Sequence, residues 1–87
     1  MKFGLDQNYP NPFNPTTHFE FRLAEYGFVS LKIFNVLGRE LTTLINEEKP
    51  AGEYKIRFSG NNLAGGEYFY QLKAGDFIST KKCVLLK

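Results

Sequence analysis

The sequence predicts an all-β protein, a sandwich of about seven antiparallel strands. Short segments alternate apolar and polar side chains with a period of two residues, and turn-forming residues separate these segments at regular intervals. Nine Phe and five Tyr stand against one Met and no Trp, and aromatic residues suit the half-buried surface of a sheet. No segment keeps a helical period over a dozen residues. A small β-barrel remains the alternative to a sandwich.

Each strand is predicted from its own alternation, and the turns from glycine, proline and asparagine. The predicted strands cover residues 17–23, 28–35, 40–45, 53–58, 67–73 and 77–86. Residues 46–52 are predicted as a polar loop that ends at Pro50 and Gly52. Gly38 is expected to supply the positive φ of a short hairpin, and residues 74–76 form another. The sequence does not decide which side chains of residues 40–45 face the core, because Leu41, Leu44 and Ile45 fall on both faces of the strand.

A chain of 87 residues makes one domain. Residues 1–4 are interpreted as an expression start or linker remnant, and residues 5–87 as the domain itself. The apolar runs are too short to predict insertion into a membrane. No signal-peptide pattern opens the chain, so an export signal of a longer parent protein would lie upstream.

The opening loop is rich in proline and asparagine. Its residues fix local backbone geometry without forming a helix or a central strand. Tyr9 and Phe13 are expected to anchor the loop in the core. The motif residues are Asn8, Pro10, Asn11, Pro12, Phe13, Asn14 and Pro15.

The sequence predicts no catalytic residue, no metal ligand and no cofactor. The single histidine, His18, has no nucleophile marked near it, and Glu47 and Glu48 are adjacent loop carboxylates. Cys83 lies in an alternating run and is interpreted as a small buried residue. The net charge of +2 is too low to indicate nucleic-acid binding. Residues 71–87 nevertheless carry four lysines against one aspartate. A solvated strand face is the commoner explanation of such a distribution, and the steering of an acidic or phosphorylated partner is the alternative.

Four segments together resemble a known family. They are QNYPNPFNPTT at residues 7–17, PAGEY at 50–54, NLAGGEYFY at 62–70 and KKCVLLK at 81–87. This pattern resembles the type A C-terminal sorting domain of the type IX secretion system. It is similar, more distantly, to the immunoglobulin-like domain of the flagellar hook-capping protein. The resemblance implies an immunoglobulin-like β-sandwich, with a structural role for Pro50, Gly52, Tyr54, Gly66 and Tyr68.

The same resemblance implies a function and partners. The domain is expected to be a non-catalytic sorting signal that directs an upstream cargo of the same polypeptide through the periplasm to the cell surface or the medium. Its implied partners are the secretion translocon and a sortase-like peptidase. The last strand is expected to be recognised through its backbone edge and through Lys81, Lys82, Leu85 and Lys87, with the domain itself monomeric.

Two other functions stay open. An ancillary carbohydrate-binding or spacer module of a secreted hydrolase would use an exposed aromatic surface, for which Phe34 and Phe69 are the candidates. A structural cap subunit would form oligomers.

Overall fold

A computed structural model describes residues 2–87 as two antiparallel sheets packed face to face. One sheet has the order β1-β2-β5 and the other β4-β3-β6-β7. This is an immunoglobulin-like sandwich, so the fold prediction is confirmed and the barrel is excluded. The strands are β1 (Gly4–Leu5), β2 (Thr16–Leu23), β3 (Gly27–Phe34), β4 (Glu40–Lys49), β5 (Gly52–Ser59), β6 (Gly66–Ala74) and β7 (Phe77–Leu85).

The predicted inward-facing residues of β2, β3 and β6 form the core. All of them are less than a tenth exposed, and the rings of Phe19 and Tyr70 meet across the two sheets with centroids 4.5 Å apart. Burying one such side chain contributes about 1.5–3 kcal/mol. The core residues of these strands are Phe19, Phe21, Leu23, Val29, Leu31, Ile33, Tyr68, Tyr70 and Leu72.

The prediction of a polar loop at residues 46–52 is wrong, because β4 continues through Lys49. Asn46 pairs with Ser30 and Lys49 with Gly27 along an edge strand whose polar side chains face solvent. Two register shifts in the β3–β4 ladder lie at Leu31/Lys32 and Ile33/Phe34. A shift of one residue reverses the side-chain phase, which explains why the sequence of β4 did not reveal its inner face.

The folded unit begins earlier than residue 5. Gly4 pairs with Arg22 in the β1–β2 ladder, and the Phe3 ring stacks on Phe77 with centroids 5.5 Å apart. Both contacts bring residues expected to be a linker remnant into the sandwich. Gly38 and Gly75 have φ of 83° and 59° in the two predicted hairpin turns, which confirms their role. Over residues 2–87 no helix has the length and apolar character to cross a membrane.

Candidate recognition site at the C-terminal strand

The opening loop crosses from the three-stranded sheet to the outer edge of β7 and binds the end of that strand. The N–H of Phe13 donates to the carbonyl of Val84 at 2.9 Å, and the N–H of Leu86 donates to the carbonyl of Phe13 at 2.8 Å. The side-chain Oδ1 of Asn11 accepts from the N–H of Val84 at 3.0 Å. The last strand is therefore held by backbone and side-chain bonds from the start of the chain.

One further bond extends this contact along β7. The Nε2 of Gln7 donates to the carbonyl of Lys82 at 2.7 Å. We call the whole contact the edge clasp, formed by Gln7, Asn11 and Phe13 on Lys82, Val84 and Leu86. Because these bonds use the outward backbone groups of residues 82–86, the expectation of an open strand edge is wrong for that half of β7.

Phe13 anchors the clasp in the core, as the sequence predicted. Its side chain is 1% exposed, and its ring meets Phe58 edge-on with centroids 6.3 Å apart. Gly60 leaves the space for this packing, because a Cβ there would lie 2.9 Å from the Cδ2 of Leu85. The corresponding prediction for Tyr9 is wrong. Its side chain is 78% exposed, and only its backbone is tied, to His18.

A buried polar network fixes the loop upstream of Phe13. The N–H of Asn8 donates to the hydroxyl of Tyr70 at 2.7 Å, and that hydroxyl donates to the carbonyl of Asp6 at 2.8 Å. The Asn8 amide donates to Thr17 Oγ1 at 3.0 Å and to the Pro10 carbonyl at 3.1 Å. Burial raises the pKa of Tyr70 to about 12, against the lowering effect of the Asn8 N–H. Buried polar groups satisfied in this way rigidify a structure.

The remaining loop residues lie at the surface or contribute backbone groups. Pro10, Pro12 and Pro15 each follow a cis peptide bond. The carbonyl of Pro15 accepts from the N–H of Gly60 at 2.8 Å. The side chain of Asn14 is exposed.

The two Gly-Glu-Tyr segments form equivalent corners. Gly52 and Gly66 have φ of 155° and 147°, where an L side chain is disfavoured. The hydroxyl of Tyr54 donates to the carbonyl of Pro50 at 2.6 Å, and that of Tyr68 donates to the carbonyl of Ala64, each four residues upstream. The second arrangement matches the tyrosine corner of immunoglobulin-like folds.

These two corners lie at different places in the sandwich. Tyr68 is 8% exposed and pairs with Cys83 of β7, so it supports the clasped strand directly. Tyr54 is half-buried, stacks on Phe21 at 5.3 Å and has the Lys49 Nζ 5.0 Å from its ring centroid. The structure therefore joins the opening loop, the second corner and the C-terminal strand, and leaves the first corner apart.

The family model for the secretion system C-terminal sorting domain matches residues 7–86. The chain belongs to this family. The matched residues include both partners of the edge clasp, and membership implies export by the type IX system to the cell surface or the medium. A comparison with curated proteins and a comparison with solved structures each gave no match.

The three lysines predicted to be recognised, Lys81, Lys82 and Lys87, have different surroundings. Lys82 lies on the outer face, with its Nζ 3.5 Å from Glu67 and half of its side chain exposed. The Nζ of Lys87 donates to the carbonyl of Asn61 at 2.8 Å. Lys81 is half-buried and continues the inward phase of Cys83 along the strand.

Leu85, which was also predicted to be recognised, lies inside the domain. Its side chain is 1% exposed and packs in the core, so in the folded domain it cannot contact a partner directly. The residue supports the last strand from inside.

The other side chains considered for chemistry are Glu47, Glu48 and Cys83. Within the part of the chain that the structure describes, no three His, Cys, Asp or Glu side chains are grouped to hold a metal ion. Glu47 and Glu48 lie in β4 opposite Val29 and Phe28 rather than in a loop. Cys83 is 1% exposed, as predicted, and burial raises its pKa to about 11, so the thiol stays protonated near neutral pH.

Sequence reasoning missed several residues that build the site. Thr17 follows the inward phase of Phe19 in β2, a signal that was available, and Tyr70 was assigned to the core without its hydroxyl partners. The contributions of Gly60 and Asn61 depend on contacts with Leu85 and Lys87 that no local pattern contains.

Proposed function

We propose that this sorting domain is a non-catalytic signal that directs the protein carrying it across the outer membrane. The cargo passes through the periplasm and is released at the cell surface or into the medium. The observation that carries the proposal is the family match over residues 7–86. The edge clasp supports it, since a recognition signal must keep one shape and the clasp fixes the segment that carries the terminal lysines.

The arrangement of the two chain ends suits such a signal. The stacking of Phe3 on Phe77 marks one end of the sandwich, where β7 begins. The bridge between Phe13 and Leu85 marks the other end, where β7 stops. The longest dimension of the domain is 37 Å. A cargo attached before residue 2 would therefore lie away from the C-terminal segment and leave it accessible to a receptor.

The proposed recognition residues are Lys81, Lys82 and Lys87, and the proposed partners are the translocon and a sortase-like peptidase. Leu85 contributes by holding the strand in place. Positive charge on a rigid edge speeds encounter with an acidic receptor and gives orientation to the complex. The domain is proposed to act as a monomer.

An export assay tests the proposal. Residues 2–87 are fused to a periplasmic reporter in a host that has the type IX machinery, and the reporter is measured in the periplasm and outside the cell. We expect export of the intact fusion and reduced export of the K81A/K82A variant. Lys55→Ala is the matched control, because Lys55 is an exposed strand lysine on the other sheet.

Two results of this assay would count against the proposal. Retention of the intact fusion in the periplasm contradicts the sorting function. Equal export of K81A/K82A and K55A leaves the function standing but removes these lysines from recognition. Thermal unfolding of each variant shows whether a loss of export reflects a loss of fold.

An ancillary carbohydrate-binding module is the second candidate. Phe34 and Phe69 are direct cross-strand neighbours on the outer face of the four-stranded sheet, and they line a shallow cleft with Gln71 and Thr80. Aromatic faces beside amide and hydroxyl groups suit a sugar ring. Binding of the domain to a polysaccharide panel, abolished by F34A/F69A, would favour this function. If the domain binds no polysaccharide, this second candidate is excluded and the sorting signal is the one function proposed.

A further inference from the structure

The outer edge of β7 is divided into a closed half and an open half. In the closed half the edge clasp takes up the carbonyl of Lys82, both backbone groups of Val84 and the N–H of Leu86. In an antiparallel ladder the outward groups recur at every second residue. The N–H and C=O of Ile78 and Thr80 therefore face the same edge, and nothing within residues 2–87 hydrogen-bonds them.

The open half is regular enough to accept another strand. The β6–β7 ladder runs from Ala74↔Phe77 to Gly66↔Leu85 without a register shift. The opposite edge of the same sheet, β4, borders a ladder with two register shifts, and irregularities of this kind hinder pairing with a further strand.

Two lysines flank the open half, one on each face of the sheet. Lys73 is exposed on the outer face opposite Ile78, and Lys81 is half-buried on the opposite phase of β7, opposite Tyr70. Within the described part of the chain neither lysine has a carboxylate within ion-pair distance. Lys82 forms an ion pair with Glu67. Asp76, in the hairpin between β6 and β7, is an acidic residue close to the open half in sequence.

The other regular edge, that of β5, offers no such preference. Its exposed side chains carry both signs, with Glu53 beside Lys55 and Arg57. A partner chosen by charge would therefore distinguish the edge of β7 from that of β5.

We propose that an extended acidic segment of a partner protein adds to the four-stranded sheet along residues 78–82 of β7. This inference rests on the proposed sorting function and names the chemistry of its receptor. Backbone hydrogen bonds to Ile78 and Thr80 supply the pairing, and carboxylates beside Lys73 and Lys81 select the partner. The edge clasp limits the added strand to this half, so it also sets the register.

The same lysines disfavour a second copy of this chain as the occupant. Antiparallel pairing of two β7 edges centred on Thr80 would place Lys81 of each copy opposite Ser79 of the other, so that the two Lys81 side chains become diagonal neighbours on one face. Diagonal positions are within reach of long side chains, so the two charges repel, and lysine on an edge is a common protection against self-association. A partner strand that carries carboxylates would instead be attracted to these lysines.

A binding experiment on the 87-residue chain tests the pairing. The probe is a synthetic peptide that alternates pairs of glutamate with pairs of valine, so that both faces of the added strand carry carboxylates. Its control has lysine in place of glutamate. We expect the acidic peptide to slow amide exchange at Ile78, Thr80 and Lys82 by about tenfold near saturation. Equal effects of both peptides, or protection at β4 or β5 instead of β7, would overturn the proposal.

Two variants separate the backbone contribution from the charge contribution. Thr80→Pro removes an outward N–H, and Thr80→Val is its matched control, because both variants lose the bond from Gln71 to Thr80 Oγ1 at 3.0 Å. We expect T80P to weaken acidic-peptide binding by about tenfold relative to T80V. Lys73→Glu changes an exposed side chain and is expected to reverse the preference between the two peptides.

The export assay distinguishes this proposal from the sorting function. If the intact fusion is not exported, the sorting function fails. If the intact fusion, T80V and folded T80P are all exported equally, the sorting function stands and strand addition is wrong. A dimer seen by sedimentation for the free domain and lost in T80P would assign the edge to a second copy, and would also overturn the proposal.

Discussion

The N–H of Phe13 donates a hydrogen bond to the carbonyl of Val84 at 2.9 Å, and this bond joins the beginning of the sorting domain to its end. The contact has two consequences. It places a buried aromatic ring beneath the last strand, and it closes half of an edge that would otherwise be exposed to other chains. The stability of the fold and the availability of the C-terminal segment are therefore linked through one residue.

Phe13→Ala is expected to lower the free energy of unfolding by about 3–5 kcal/mol, the range typical of a fully buried phenyl ring. A domain of this size has little more stability than that, so a large fraction is expected to unfold. Urea unfolding followed by circular dichroism measures the change. Tyr9→Ala, at a side chain that is 78% exposed, is the control and should stay within about 0.5 kcal/mol of the parent.

Gly60→Ala is expected to destabilise the domain by about 1–3 kcal/mol through overpacking. The new Cβ would lie 2.9 Å from Leu85 Cδ2 and 3.4 Å from the Phe13 ring. Gly27→Ala is the control, because a Cβ there meets nothing within 4 Å. In a double-mutant cycle Leu85→Val should relieve part of the cost of Gly60→Ala. Additive effects would show that the predicted contact is not the cause.

The two tyrosine corners are expected to contribute differently to the stability of the domain. Tyr68→Phe should lower the free energy of unfolding by about 1–1.5 kcal/mol, because it leaves the carbonyl of Ala64 without its partner near a buried ring. Tyr54→Phe should cost less, since the Tyr54 hydroxyl bond to Pro50 is exposed to water, which can replace it. Thermal unfolding of the two single variants gives the comparison. An equal or larger effect at Tyr54 would contradict this account of the corners.

Stability is expected to fall in alkaline solution. The pKa of Cys83 is raised from 9.0 to about 11 and that of Tyr70 from 10.0 to about 12. The unfolded chain therefore loses these protons at lower pH than the folded domain, and the free energy of unfolding falls from about pH 9 to about pH 12. Each group contributes at most about 3 kcal/mol. Urea midpoints across this range measure the fall.

Cys83→Val separates the two groups in that experiment. Valine does not titrate and has a similar size, so the fall that begins near pH 9 should shrink while the later part, due to Tyr70, remains. An unchanged profile in this variant would show that the buried thiol does not couple to folding.

Much of the candidate site could be predicted from the sequence. The prolines and asparagines of residues 8–15 indicated a rigid loop, and of the two aromatic residues expected to anchor it, Phe13 lies in the core and Tyr9 does not. The attachment of that loop to β7 could not be predicted, because the bonds of Asn11 and Phe13 to Val84 join residues far apart in the chain. Leu85 was predicted as a recognition residue, whereas it shares the inward phase of Cys83 and packs in the core.

Local alternation was enough to predict the cores of β2, β3 and β6, because a period of two residues states which side chains share a face. It did not predict β1 or the second half of β4. The residue types also predicted the positive φ of Gly38 and the hairpin at residues 74–76, where local sterics decide the conformation. The length and phase of β4 depend instead on its pairing with β3 and on the register shifts between the two strands. Only the tertiary structure decided which half of the β7 edge is free, because hydrogen bonds between distant segments, not local preferences, close the other half.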